Sequence, residues 1–196
     1  MSTEPTPRRT QAERTRASRE KIIQAASDFF SRQGYHGARL SDIARAAGLT
    51  EPGLLHHFPS KNHLLMAVLA QRDRADHERF KHEPGSLLDS LQKVVEYNQN
   101  VPGLVQLFTI LVAESIQEEH PGHDFFMRRY HAARTEDLAR IIKEQASGQI
   151  RADIAPEDLM VMLFAMMDGL QIQWLFEPEK VDMSRLFTQF VKLLRG

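Results

Sequence analysis

The chain has 196 residues, of which 42% are apolar and 26% charged, with a formal net charge of −1 and no cysteine. That composition fits an ordinary globular protein of one domain or two small ones, and it excludes disulfides, thiolate metal sites and cysteine nucleophiles. No apolar core of signal-peptide type opens the sequence and no run approaches the length of a bilayer crossing, so a cytoplasmic protein with no membrane partner is expected.

Near-zero net charge hides an asymmetry. Residues 1–66 hold ten basic and six acidic side chains, a net of +4, which leaves −5 for the remainder. A basic end on an acidic body suits a protein whose one end meets phosphate. The first stretch, residues 1–17, carries two prolines, several hydroxyl residues and repeated arginine, which predicts a flexible basic arm. Such an arm either dips into a minor groove or remains a solvated tail.

A helix is predicted next, from residue 18, because Ile22, Ala26, Phe29 and Phe30 recur at helical spacing, with Gly34 as its stop. Between Leu40 and His57 the chain reads LSDIARAAGLTEPGLLHH. Two short helices that cross at a tight turn need a small residue where they touch, a residue tolerant of positive φ at the bend, and aliphatic residues beneath. Ala44 meets the first need and Gly48 the second, while Ile43, Ala47, Leu49 and Leu54 meet the third. Thr50 is placed to cap the second helix, with Glu51 and Pro52 in its first turn, where acid favours the helix dipole and proline breaks no bond. This is a helix-turn-helix pattern. Gly53 inside so short a helix costs about 1 kcal/mol relative to alanine. Phe58 and Pro59 close that helix, and Ser60 caps a linker helix that begins at Lys61 and runs through Leu64, Leu65, Val68 and Leu69 to about residue 82.

Taken together, Ile22, Ile23, Ala25, Ala26, Phe29, Gly34, Tyr35, Leu40, Ile43, Ala44, Ala47, Gly48, Leu49, Thr50, Leu54, His57, Phe58, Lys61 and Leu64 resemble, in order and without a gap, the reading head of the TetR family of transcriptional repressors. The resemblance covers roughly the first third of the chain. It implies a three-helix DNA-binding domain over 18–63, followed by a larger helical effector-binding and dimerisation domain over 64–196. Where the family usually carries a tyrosine near the end of the recognition helix, this chain has Leu55, which can meet a thymine methyl but cannot donate to phosphate. On this reading Arg39, Thr50, Glu51, Pro52, Gly53, Leu55, His56 and His57 line the groove side, and Lys61 meets the backbone of a palindromic double-stranded operator.

Beyond residue 82 there is no repeat and no strand-like alternation. Breaks at Pro84-Gly85, Pro102-Gly103, Pro121-Gly122, Gly148 and Pro178 predict helices near 86–99, 103–119, 122–147, 156–176 and 183–195. The fold class is all-α. The segment PEDLMVMLFAMMDGLQIQWLF is apolar on nearly every side and so needs cover from two directions; the last helix has a narrower stripe through Met183, Leu186, Phe187, Phe190, Val191 and Leu194. Two such helices from each of two chains would form a four-helix homodimer interface, which the family resemblance also implies.

The resemblance implies in addition a small-molecule effector in the body that releases the DNA. Met127, Met162 and Met166 are adaptable wall material, equally at home in a plain core. Glu114, Tyr130, His131, Arg134, Asp168, Gln171 and Trp174 place polar or aromatic groups on apolar helices. Glu114 and Asp168 interrupt apolar runs, and a buried carboxylate needs a partner, whether Arg134, a second subunit or a cationic ligand.

Enzymatic readings are weak. His77-Glu78 with His82 imitates a zinc-protease helix, but the second histidine comes one residue late, which puts the imidazoles roughly 140° apart. His120, His123 and His131 straddle a Pro-Gly break and read as helix-end residues rather than metal ligands. No glycine-rich phosphate loop, serine elbow or paired-acid motif appears, and no cofactor is expected. The alternative to a DNA-binding regulator is a helical small-molecule-binding protein or enzyme in which the hairpin is purely structural.

Overall fold

Thr10 nucleates the first helix well before residue 18. In the computed structural model its hydroxyl accepts the Glu13 N–H at 3.2 Å, while the Glu13 carboxylate accepts the Thr10 N–H at 2.7 Å. This reciprocal capping box starts α1, Gln11–Gly37. The flexible arm expected over 1–17 is therefore helical from Gln11 onward. The structure describes residues 10–80 and 85–195, without the side chains of 76–78 and 80. The first nine residues of the arm lie outside it, as do the side chains of the His77, Glu78 and His82 motif.

Gly34 adopts φ 70° with non-helical backbone and stops the long helical run as expected, a short helical segment continuing beyond the kink to Gly37. The helical hairpin follows as α2, Leu40–Ala46, and α3, Glu51–His57. Between them Gly48 sits at φ 74°, as the bend requires, and the Leu49 N–H reaches the Ala44 carbonyl at 2.9 Å. Helix α4, Lys61–Phe80, leaves the hairpin with Ser60 Oγ accepting the His63 N–H at 3.3 Å. The body contains α5, Leu87–Gln99; α6, Pro102–Glu114; α7, His123–Ala146; α8, Pro156–Phe176; and α9, Met183–Leu194. No strand occurs among the described residues, and the fold is all-α as expected.

Packing bears on three expectations. Helix α6 stops at Glu114 rather than near 119. Its last turn is diverted into side chains, with Ser115 Oγ bonded to His120 Nδ1 at 2.8 Å and the Ser115 carbonyl to His123 Nδ1 at 2.9 Å. Pro121 then bars His120 from a helical conformation. Second, the boundary expected between residues 63 and 64 falls inside α4. One buried cluster holds Ile22 and Phe30 of α1, Leu54 of α3 and Leu64 and Leu65 of α4 together with Leu107 and Leu111 of α6 and Phe126 of α7. Head and body thus share a core, and a second cluster lies farther along the body around Leu163, Trp174 and Phe187. Third, α8 is long and apolar enough to cross a membrane, with 21 residues and a mean hydropathy of 1.5 over its most apolar window. Its inward side, including Leu159, Leu163 and Leu170, is instead packed in the second core, while Val161, Ile172 and Phe176 face outward.

Candidate nucleic-acid interface and effector cavity

The geometry of α3 follows from its cap. Thr50 has extended backbone and its hydroxyl accepts the Gly53 N–H at 3.2 Å. A Cβ on Gly53 would stand 3.3 Å from that hydroxyl oxygen, so glycine keeps the cap uncrowded. Leu54 anchors the helix in the core, and the opposite side, Thr50, Glu51, Pro52 and His56, is exposed. Gly53, Leu55 and His57 are half-buried at its margins, and Arg39 is exposed at the start of α2.

The far end of α3 is fastened by a residue that the sequence did not single out. Arg19 of α1 donates from Nη1 to the His57 carbonyl at 2.5 Å and lies 4.1 Å from the centre of the Phe58 ring. This supplies an orphan carbonyl at a helix C-terminus with a cation. Burial, then His56 and then Arg19, hold the His57 imidazole below its ordinary value. Lys61, half-buried, donates to the His36 carbonyl at 3.3 Å and sits 4.8 Å from the Tyr35 ring centre; burial lowers its pKa, with Glu114 acting in the opposite direction.

Behind Lys61 lies the junction between head and body. The Tyr35 hydroxyl donates to Asn62 Oδ1, and Glu114 Oε2 accepts the Tyr35 N–H at 2.8 Å. Glu114 therefore satisfies the backbone where Gly34 breaks α1, and it is not among the walls of the two body spaces described next. His120 packs edge-on to Tyr35 at 5.0 Å between centroids. Its Nδ1 accepts the Gly122 N–H at 3.1 Å, so Nε2 carries the proton; Nε2 is buried without a hydrogen bond, 4.0 Å from Glu114 Oε2.

Farther along the body, residues of α4, α5, α6, α7 and α8 line two adjoining, partly open spaces of about 80 and 160 Å³ that share Phe108, Tyr130, Asp168 and Gln171 as walls. The Tyr130 hydroxyl donates to Asp168 Oδ2 at 2.7 Å. Burial raises the pKa of both groups. Arg129 pairs with Asp73 of α4, and burial, followed by the charge of Arg72, brings its pKa down to about 10. Arg72, also of α4, donates to the Leu104 carbonyl at 2.5 Å and lies 4.6 Å from the Phe108 ring centre.

Of the expected effector residues, Tyr130, Asp168 and Gln171 meet here. Met127, His131, Arg134 and Met162 do not, since they lie on the outside of α7 and α8. Arg134 turns back onto the Tyr130 carbonyl rather than reaching either carboxylate. Met166 and Trp174 pack in the second core. Phe108, Arg72 and Arg129 were missed. His120 and His123 are engaged by Ser115, and His131 stands apart on the surface.

A capped, exposed short helix held at a tight crossing, on a helical body with a partly open pocket between its helices, defines a helix-turn-helix DNA-binding regulator. A profile described as bacterial regulatory proteins, tetR family, matches residues 22–68, and one described as BetI-type transcriptional repressor, C-terminal, matches residues 98–195. The chain belongs to the TetR family of transcriptional regulators. It is 27% identical over 202 residues to the HTH-type transcriptional regulator CymR of Pseudomonas putida, covering 96% of this chain and 94% of that protein. A TetR-family regulator from Rhodococcus sp. superposes with a TM-score of 0.74 at 26% identity, covering 92% of this chain and 100% of that one. A transcriptional regulator from Saccharomonospora viridis in complex with choline superposes at 0.77 and 24% identity, covering 89% and 95%.

Proposed function

We propose that this chain is a homodimeric cytoplasmic repressor that binds a palindromic operator and is released from it by a small molecule held in the body. The observation that carries the reading is the course of α4. Its first residues, Lys61 and Asn62, grip the end of α1 behind the reading helix, and its middle, Arg72 and Asp73, touches α6 and α7 at the cavity. A ligand that rearranges the cavity acts on the same rigid rod that carries the head. Binding energy at one site is thereby converted into a shift at the other, provided the ligand favours one arrangement.

Arg39, Thr50, Glu51, Pro52, Gly53, Leu55, His56 and His57 then face the major groove, and Lys61 a phosphate. So short a helix reads only a few base pairs, and two copies on successive faces of the duplex give useful affinity. The outward side of α8 supports the dimer. Val161, Ala165, Gly169, Ile172 and Phe176 follow one another at helical spacing, with small residues in the middle where two helices approach. Beyond Leu193, the outward residues of α9 are polar, namely Arg185, Gln189 and Lys192, so α8 contributes most of the apolar area. A mobility shift on DNA upstream of the chain's own gene, with sedimentation of the free protein, tests the reading. A specific complex from a dimer is expected; a monomer with no sequence preference at moderate salt would leave the hairpin structural only.

A further inference from the structure

The two spaces in the body differ in kind, and the difference points to the charge of what fills them. The larger has an almost wholly apolar wall from Val112, Ala113, Ile116 and Ile172. The smaller is walled by charged groups, Arg72, Arg129 and Asp168, among aromatic rings. Asp168 is already committed to the Tyr130 hydroxyl. The lining of the smaller space thus carries two guanidinium groups and one carboxylate, and Asp73, which does not line it, pairs with Arg129.

Arg129 is the group left with capacity. A guanidinium has five N–H donors in a fixed fork, and among the described residues the hydrogen bonding of Arg129 is confined to Nη1 and Asp73. Arg129 lines the smaller space, with its guanidinium carbon 5.1 Å from the centre of the Phe108 ring. A half-buried cation beside a second cation gains more from an incoming anion than a fully exposed cation does, because less water is present to screen it. The depressed pKa of Arg129, to about 10 and caused first by burial and then by Arg72, agrees with that environment.

We propose that the cavity takes a small organic monoanion, a carboxylate with a short apolar body, whose head group is held two-pronged by Arg129 and whose body fills the space walled by Phe108 and Val112. This rests on the effector reading of the cavity and gives that effector its chemical class. The planar fork matches a carboxylate, and the adjoining apolar chamber matches a hydrocarbon. Both spaces are smaller than the ~300 Å³ at which drug-sized sites begin, so the body is short. A quaternary ammonium or other cation would meet two guanidinium groups against the single Asp168 carboxylate of that wall.

The test is calorimetric titration of the full chain with octanoate, octanamide and octylammonium, which share one apolar body and differ in charge. Octanoate should bind at least about 10-fold tighter than octanamide, the size expected of one charge-assisted pair, and octylammonium more weakly still. In the double variant D73N/R129Q, which leaves no carboxylate stranded, that preference should vanish while octanamide affinity holds. Arg129→Lys, which keeps the charge and the Asp73 pair but loses the fork, should weaken octanoate alone and stands in should the double variant not fold. Octanamide or octylammonium binding as tightly as octanoate, no octanoate binding at millimolar concentration, or an unchanged preference in both variants overturns the proposal. Gel shifts run alongside separate the two claims. Operator release by a neutral or cationic ligand alone removes the anion site and keeps the regulator, whereas octanoate binding with the expected preference but without release keeps the site and removes the release mechanism.

Discussion

Glu114 and Tyr35 stand 79 residues apart in sequence and are joined by a 2.8 Å hydrogen bond from the Tyr35 N–H to the Glu114 carboxylate. The bond lies where Gly34 turns to φ 70° and the helix ladder of α1 lapses. It links the DNA-reading head to the end of α6.

Glu114→Ala strands that N–H in a nearly enclosed place and should lower stability by about 1–3 kcal/mol, read as a loss in urea denaturation, with Glu114→Gln retaining most of it. Gly34→Ala should be worse. Its Cβ would lie 2.5 Å from Glu114 Oε1 at a backbone angle that side chains resist. A denaturation midpoint unchanged by both Glu114→Ala and Gly34→Ala would show that the junction bond contributes nothing.

Removing the Thr50 hydroxyl leaves the Gly53 N–H without its acceptor. Thr50→Ala should cost about 1 kcal/mol of stability and weaken operator binding, while Thr50→Ser preserves both. Equal behaviour of the two variants in denaturation and gel shift would contradict the capping role.

Lys61→Ala should weaken DNA binding evenly across sequences and reduce the slope of log affinity against log salt by about one for each protomer in contact. Because Lys61 also donates to His36, thermal melts of the free variant accompany the titration. A normal salt slope with a lowered melting temperature would assign Lys61 to the junction and not to phosphate.

His120 makes the junction sensitive to acid. Burial holds its pKa below the ordinary 6.5, with His36 acting in the same direction and Glu114 against it. The unfolded chain therefore takes up this proton first as pH falls. The stabilising contribution is complete above about 6.5 and is lost as pH falls through the lower, folded value. Melting temperatures measured from pH 7.5 to 5 should drop further in the native sequence than in His120→Gln; parallel curves would exclude His120 as the source.

Ile172→Glu on the outward side of α8 should give a single 22.5 kDa species in sedimentation and cut operator affinity by about 100-fold or more through lost bivalency. A dimer that survives this charge would move the interface elsewhere.

The hairpin was legible because its requirements are local. Ala44, Gly48, Thr50 and Leu54 each meet a need created a few residues away, and the structure places them accordingly. The early start of α1 was also written in the chain, as Thr10 with Glu13, but prolines and arginines around it weighed toward a loose arm. The cavity was half legible. Tyr130, Asp168 and Gln171 are conspicuous as polar groups on apolar helices, whereas Arg72 and Arg129 look like any charged residue until α4 and α7 are seen to face each other. Met127 and Met162 could not be told from wall residues without knowing how α7 and α8 are rotated. Glu114 did need a partner, as its apolar neighbours indicated, but that partner is a backbone group distant in sequence, which leaves no mark on side-chain spacing.

The continuous core across α1, α4, α6 and α7 sets a limit on exchange between relatives. A chimera that grafts another regulator's first sixty residues onto this body would bring foreign side chains against Leu107, Leu111 and Phe126, the surface on which Ile22 and Phe30 now rest. Changing which operator is read while keeping the inducer response therefore calls for transplanting only the outward side chains of α3, with the scaffold beneath them left native.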